Sequence, residues 1–440
     1  MENRDLELGD MENMIQERAY LFLRRVLEQE QKSLNEPITP PIYMVPRTLR
    51  DLSPHSFSPR MVSIGPLHRD DENVQAFERQ KVTYLIKLMN HITSSTPEII
   101  MNSCMEKVYA SMEKIKACYV WTRIYNDFEI AEMMVMDACF ILGFIYLIFQ
   151  LNLADIFAED VVCDLVLLEN QIPFFFLEEI FKCTIAELMP NTSLVKFMYP
   201  VLSILNLFDS DVGLNILENI SIDDTHHILS LLHECYKPQT GYIFRKEFSI
   251  TRSHSAVDLD KAGVSFKPNR YQTWVLGMEM EFPCFLWSWC KCTLRMPIFY
   301  VSNSTELILR NLIAYEQESM QTQNYITSYA YVINMLVNTQ DDVAKLVDSE
   351  VLINVMGSNE NAANMINNIC KEVPLVNSLY RQQWRALDRY YNRYYNRYWP
   401  KHIGWMRRTY FSSPWNIIAL VVGSIIFALT IVQTIFTVGD

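Results

Sequence analysis

Two clusters of side chains carry the types that could do chemistry. His226, His227 and His233 stand beside Glu234 and follow Asp223 and Asp224, and imidazole with carboxylate is the ordinary ligand set of zinc. Positions 226 and 233 share a face of a helix, but no motif supplies a third ligand, so surface histidines are expected rather than a metal site. Cys284, Cys290 and Cys292 surround Trp287 and Trp289. A zinc site needs four ligands, usually in two close pairs, and the second pair is missing, which leaves buried thiols as the reading. Paired acids such as Glu178–Glu179 and Asp341–Asp342 are ordinary on helix surfaces. The chain has no Gly-x-Ser-x-Gly elbow, no P-loop, no Gly-x-Gly-x-x-Gly and no His-Glu-x-x-His, so no catalytic residue, metal or cofactor is expected.

The elements that would position these groups are set by composition. Of 440 residues, 50% are hydrophobic and 20% charged, too apolar for a disordered chain and enough for one large or two modest cores. A formal net charge of −13 argues against nucleic acid as a partner. The first residues lack a basic stretch followed by an apolar run, so no secretory signal is expected. Ten cysteines without regular spacing read as reduced, mostly buried thiols of a cytosolic protein. Met11–Leu34 carries Ile15, Ala19, Phe22, Leu23, Val26 and Leu27 on one helical face, and Pro37, Pro40 and Pro41 end it.

A core from Ile42 to about Val376 follows. Helical spacing covers 73–88, 104–128, 129–153, 173–188, 225–236, 305–317 and 324–338. Met278, Met280 and Phe282 alternate with Glu279 and Glu281, and Leu294, Met296 and Ile298 form a partner row, which predicts a small β-hairpin. Tyr242–Arg270 reads as a long surface loop. Ala138–Ala154 holds no charge over 17 residues, but it is short, contains Gln150 and Asn152, and has acids rather than bases beside it. A buried core helix is therefore expected there.

The far end of the chain differs. Between Thr409 and Gly439 no residue is charged, and 415–438 would extend about 36 Å as a helix, enough to cross a bilayer. Before it, Arg381, Arg385, Arg389, Arg393, Arg397 and Lys401 recur every four residues, with Arg407 and Arg408 beyond. Tyr390, Tyr391, Tyr394, Tyr395, Tyr398 and Trp399 are interleaved. Tyrosine and tryptophan favour the membrane interface and cations favour anionic headgroups, so 377–414 reads as a segment docked on a cytosolic leaflet. The competing reading is a solvated helix whose aromatic rings pack on the core. The basic residues before the span and Asp440 after it place the core in the cytosol, leaving the sequons at Asn191, Asn219 and Asn303 unused.

Four stretches together resemble one family. They are Ile42-Tyr-Met-Val-Pro with Phe57-Ser-Pro-Arg-Met-Val-Ser-Ile-Gly-Pro-Leu-His68 and Phe77-Glu-Arg-Gln-Lys81; Met136-Asp-Ala-Cys-Phe-Ile-Leu142; Asp164-Leu-Val-Leu-Leu-Glu-Asn-Gln-Ile-Pro-Phe-Phe-Phe-Leu177; and Leu309-Arg-Asn-Leu-Ile-Ala-Tyr-Glu316. In this order they resemble the plant family catalogued as domain of unknown function 247, from Ile42 to the C-terminus. The resemblance implies a mostly helical plant protein with a C-terminal membrane segment and no established enzymatic activity. Some grass members are implicated in self-incompatibility. The family usually has Asp-Gly-Cys-Phe where this chain has Asp137-Ala138-Cys139-Phe140, and an acid often stands at Gly143. The motif residues Ser63, Gly65, Pro66, His68, Asp137, Cys139, Asp164, Glu169, Asn170, Gln171 and Pro173 read as specifying the fold, with amides able to satisfy backbone groups at a buried junction. Ser63–His68 reads as a tight turn leading into a helix.

The expected architecture is mainly α: an N-terminal helix and proline-rich link over 1–41, a helical core with a small β-hairpin over 42–376, a basic, aromatic segment over 377–414, and one transmembrane helix over 415–438. The expected function is a non-enzymatic recognition or signalling scaffold, single-pass in the plasma membrane or endoplasmic reticulum, with membrane lipids and an unnamed protein as partners. An unrecognised enzyme acting on a small or membrane-delivered substrate and a self-incompatibility or defence determinant are the alternatives.

Overall fold

The computed structural model describes Arg18, Tyr20, Arg24 and residues 40–121, 123–153, 156–208, 220, 225–238, 254–270, 274–282, 292–318, 323–374, 379–392 and 414–438. The expected N-terminal amphipathic helix therefore lies almost wholly outside the described residues. So do Asp223, Asp224, Asn219, Cys284, Cys290 and the basic residues Arg393, Arg397, Lys401, Arg407 and Arg408.

The fold is mainly helical. Its longer helices are α1 (Glu78–His91), α2 (Pro97–Ala110), α3 (Asp127–Ile145), α4 (Ala158–Asp164), α5 (Phe174–Cys183), α6 (Ile228–Cys235), α7 (Thr305–Glu318), α8 (Tyr325–Leu336), α9 (Gln340–Asp348), α10 (Asn359–Ile369), α11 (Arg381–Asn392) and α12 (Pro414–Val438). The centre is α3. Asn126 and Glu129 close a reciprocal capping box at its start, which satisfies two amides that no helical carbonyl reaches. Its side chains are then buried almost all round, and a π-helical turn, Tyr146–Gln150, continues it. The pair is long and apolar enough to cross a membrane, yet 78% of its most apolar stretch is buried inside the protein. It is the core helix that the acidic flanks predict. Gly143 lets α1 approach closely, since a Cβ there would stand 3.2 Å from the Tyr84 carbonyl oxygen.

Two small sheets complete the core. β3 (Cys292–Met296) lies between β1 (Val264–Pro268), parallel to it, and β2 (Glu279–Glu281), antiparallel with Met280 opposite Leu294. The antiparallel pair is the one the alternation predicts. It ends at Met296, and Ile298 precedes a second, parallel pair, β4 (Phe299–Val301) with β5 (Leu352–Asn354). The described part of Tyr242–Arg270 is not a surface loop. Ser255 caps a short helix, Ala256–Lys261, which leads into β1, where Val264 and Phe266 face inward. The inward pattern is only two residues long, and the surrounding Ser and Lys hide it.

The apolar core continues past residue 376. Trp384 and Leu387 of α11 are buried in it, with Tyr390 and Tyr391 against its edge.

Candidate functional site

The motif residues, though spread over more than a hundred positions, meet at one junction. α4 ends at Asp164, an apolar turn carries Leu165–Leu168 through the core, and Pro173 caps α5. Asp164 accepts hydrogen bonds from the backbone N–H groups of Arg60 (3.0 Å), Met61 (2.7 Å) and Val62 (2.9 Å). Asn170 accepts from the Ile64 N–H at 2.6 Å and donates to the carbonyls of Val62 and Asp164, both at 3.0 Å. Gln171 donates to the carbonyls of Leu165 (2.7 Å) and Leu167 (2.8 Å), and its side-chain oxygen accepts the Leu229 N–H at 3.3 Å. These side chains supply partners to buried backbone groups of this turn and of residues 60–64.

The charged residues are bound as tightly. Lys81, fully buried, donates to Asp137 Oδ1 at 2.6 Å and to the Ser63 carbonyl, while the Gly65 N–H donates to Asp137 Oδ2 at 2.8 Å. Glu169 accepts from the Val45 N–H (2.7 Å), from Arg50, and from His68 Nε2 (2.8 Å); the other nitrogen of His68 faces Asp71 at 2.7 Å. Gly65 has a left-handed φ of 71°, and a Cβ on it would fall 2.6 Å from the Gln171 carbonyl oxygen, so the turn takes glycine for both reasons. Pro66 follows within this turn. Ser63 Oγ, buried, finds no hydrogen-bond partner among the described residues. Ser63–His68 does form a turn, but α1 begins ten residues later, after a short 3₁₀ segment, Gln75–Phe77.

Burial and charge displace the titrations here. Burial raises the Asp137 carboxyl above its ordinary range, with Lys81 and Arg69 pulling it back. Burial pushes Asp164 up to about 6 against the pull of the three backbone N–H groups. For His68, burial acts to lower the pKa, but Glu169 and Asp71 outweigh it and the net shift is upward. Every carboxylate of the junction is occupied by donors from this chain, so its chemistry is to hold backbone and side chains in one arrangement.

Of the histidine cluster, His226 is exposed as expected, but the other two are not. His227 and His233 are buried. His227 Nδ1 accepts the Ser230 N–H at 3.1 Å, so the ring N–H is on Nε2 and donates to the Pro41 carbonyl at 3.2 Å. Burial, with repulsion from His226, lowers its pKa to about 3. His233 Nε2 lies 2.9 Å from Glu316 Oε1, and its Nδ1 lies 2.8 Å from the Tyr325 hydroxyl. Glu316 also takes the N–H groups of Ile326 (2.9 Å) and Thr327 (2.7 Å), joining α6, α7 and α8. Among the described residues no group of three or more His, Cys, Asp or Glu side chains is placed to hold a metal ion. Eight cysteines are described, all as free thiols, and Cys139 and Cys292 are buried.

The basic segment is divided. Within α11, Arg385 and Arg389 point to solvent and Arg381 is half-buried, while the two described tyrosines of this helix, Tyr390 and Tyr391, pack against the core. The Tyr391 ring lies 4.0 Å from that of His254, whose Nε2 contacts Asp388 Oδ1 at 2.8 Å. Tyr390 and Phe282 rings are 6.4 Å apart. Tyrosine and tryptophan satisfy either setting, an interface or a core edge, so the sequence pattern alone did not separate them.

Three partners lay outside the motif reading: Lys81 as the counter-ion of Asp137, Arg50 as that of Glu169, and Asn311. The Asn311 side chain accepts the Leu168 N–H at 2.8 Å and donates to the Ser56 carbonyl at 2.6 Å. Lys81 and Asn311 stand inside the family motifs Phe77–Lys81 and Leu309–Glu316.

The fold and junction define a mainly helical protein whose signature residues pair buried backbone groups. The profile of the family described as "Plant protein of unknown function", domain of unknown function 247, matches residues 42–429, and the chain belongs to that family. It is 24% identical over 424 residues to the UPF0481 protein At3g47200 of Arabidopsis thaliana, covering 89% of this chain and 85% of that one. To the putative UPF0481 protein At3g02645 of the same plant it is 23% identical over 508 residues, covering 92% and 91%. No solved structure matches the chain.

Proposed function

We propose that this protein is a non-enzymatic recognition or signalling scaffold held at a membrane by residues 415–438. One observation carries the reading. α12 runs 25 residues without a charge, and its described side chains are exposed, with Ile418 at 51% and Phe427 at 69%. A soluble protein does not leave such a run in water, because each buried aliphatic side chain is worth about 1.5–3 kcal/mol. The family match reaching residue 429 makes most of this helix part of the family pattern.

In this reading the bilayer supplies the burial that the core does not. Arg385 and Arg389 face the solvent from a helix fixed on the core, so they and the basic residues after them meet anionic headgroups, each contributing on the order of 1 kcal/mol. The positive side faces the cytosol and keeps the core there. The plasma membrane and the endoplasmic reticulum both satisfy this topology.

Native-detergent capture of the full chain, compared with a chain truncated after Tyr410, tests the scaffold. A near-stoichiometric protein partner that is lost on truncation is the expected result. Capture of no protein by the full chain would contradict it, and a glycosidase-induced mass shift would overturn the cytosolic topology.

A further inference from the structure

Away from the junction, three thiols converge where α2, α3 and α5 pack together. Cys104 of α2 lies within electrostatic reach of Cys139 of α3 and of Cys183 at the end of α5. Cys104 and Cys139 are buried, while Cys183 is half-buried, with its Sγ 3.5 Å from Ser103 Oγ. α2 and α5 run antiparallel in a defined register. Lys107 Nζ meets Glu179 Oε2 at 2.6 Å, one turn from the Ser103–Cys183 contact on each helix, and a hydrogen bond from Ser94 to Glu187 ties the flanking chains at the other end. These ties hold together the helix segments that carry the two thiols, Cys104 buried and Cys183 half-buried.

We propose that Cys183 and Cys104 form a reversible disulfide, with Cys183 as the thiol an oxidant meets and Cys104 as the resolving thiol. With hydrogen peroxide as oxidant, the Cys183 thiolate attacks one peroxide oxygen, the O–O bond breaks, and a sulfenic acid and one water result. The Cys104 sulfur then attacks the sulfenic sulfur, the S–O bond breaks, and the S–S bond forms with release of a second water. Two thiols lose two electrons and two protons, and the peroxide is reduced to two waters. The product joins α2 to α5, the helix that leads directly out of the Glu169–Gln171 motif, and Cys139 backs the pair from α3.

The thiolate is the reacting form. Hydrogen bonding among the thiols and burial hold Cys104 and Cys183 above the ordinary thiol range. The pair therefore crosslinks slowly near neutral pH. Its rate rises about tenfold per pH unit between pH 7 and 9, because the thiolate fraction does.

The test uses the full chain in detergent micelles, treated with hydrogen peroxide, quenched by alkylation and mapped by peptide mass spectrometry. A linked peptide containing Cys104 and Cys183 is expected, reversed by dithiothreitol, lost in Cys183→Ser and kept in Cys118→Ser. Alkylating Cys183 in the folded wild-type chain before peroxide gives the same loss without relying on a variant. Cys183 oxidised to sulfinic acid while Cys104 remains alkylatable would overturn the proposal. So would a crosslink that forms only in denaturant.

Discussion

At the turn between α4 and α5, carboxylates and amides lie inside the protein; along α12, isoleucines, valines and a phenylalanine lie outside it. Each region inverts the usual distribution, and each does so for a different reason. At the junction, Asp164, Glu169, Asn170 and Gln171 are tolerated because backbone groups between 45 and 65 and between 164 and 168, with the Arg50 and His68 side chains and the Leu229 N–H, pair with them. Buried polar groups matched in this way specify one arrangement, since any other leaves them unpaired. In α12 the described apolar side chains are exposed, and the function proposed above assigns their cover to a bilayer. The buried polar positions thus hold the fold in one arrangement, and the exposed apolar helix is what the membrane proposal rests on.

Breaking the junction should have the largest effect. Asp137→Ala leaves Lys81 charged and buried with one carbonyl and Glu78 for company, and should cost about 3–5 kcal/mol in chemical denaturation. A loss below about 1 kcal/mol would mean the pair is not buried as described.

Acid is expected to act next. His227 stays neutral in the folded protein down to a pKa of about 3, whereas it titrates near 6.5 when unfolded. Its contribution is therefore present above pH 6.5 and is lost as pH falls, by about 3 kcal/mol at pH 4. His68 works in the opposite sense: its raised pKa gives stability present below 6.5 and lost as pH rises through the folded value. Denaturation midpoints across pH for wild type and His227→Gln separate the two, and an unchanged acid limb in the variant would remove His227 from the account.

Gly65→Ala should cost about 1–3 kcal/mol, because it strains a left-handed φ and drives a Cβ into the Gln171 carbonyl. A thermal melt unchanged from wild type would contradict that close approach. The smallest effect on folding is expected from Phe427→Arg, within about 0.5 kcal/mol for the core. The same change should markedly weaken membrane association.

The sequence made some of this legible and not the rest. α3 could be read because an uncharged run flanked by acids fits a core and not a bilayer, and the β2–β3 pairing because alternation with period two survives in short strands. The ion pairs could not be read. Lys81 and Asp137 are 56 positions apart and Arg50 and Glu169 are 119 apart, and no periodicity links residues that meet only after the helices have packed. β1, β4 and β5 are three to five residues long, too short to stand out from loops. The motif positions were recognisable as a set, but their roles as backbone partners follow only from the junction's geometry.

The most direct test concerns α12. Membranes carrying the full chain, and membranes from cells expressing a chain that ends at residue 413, would be washed with alkaline carbonate, and the chain measured in pellet and supernatant. The account predicts that the full chain stays in the pellet and leaves it only in detergent, while the shortened chain appears folded in the soluble fraction. Release of the full chain by carbonate would contradict the assignment of 415–438 to the bilayer, and with it the proposal that the membrane supplies the burial this helix lacks.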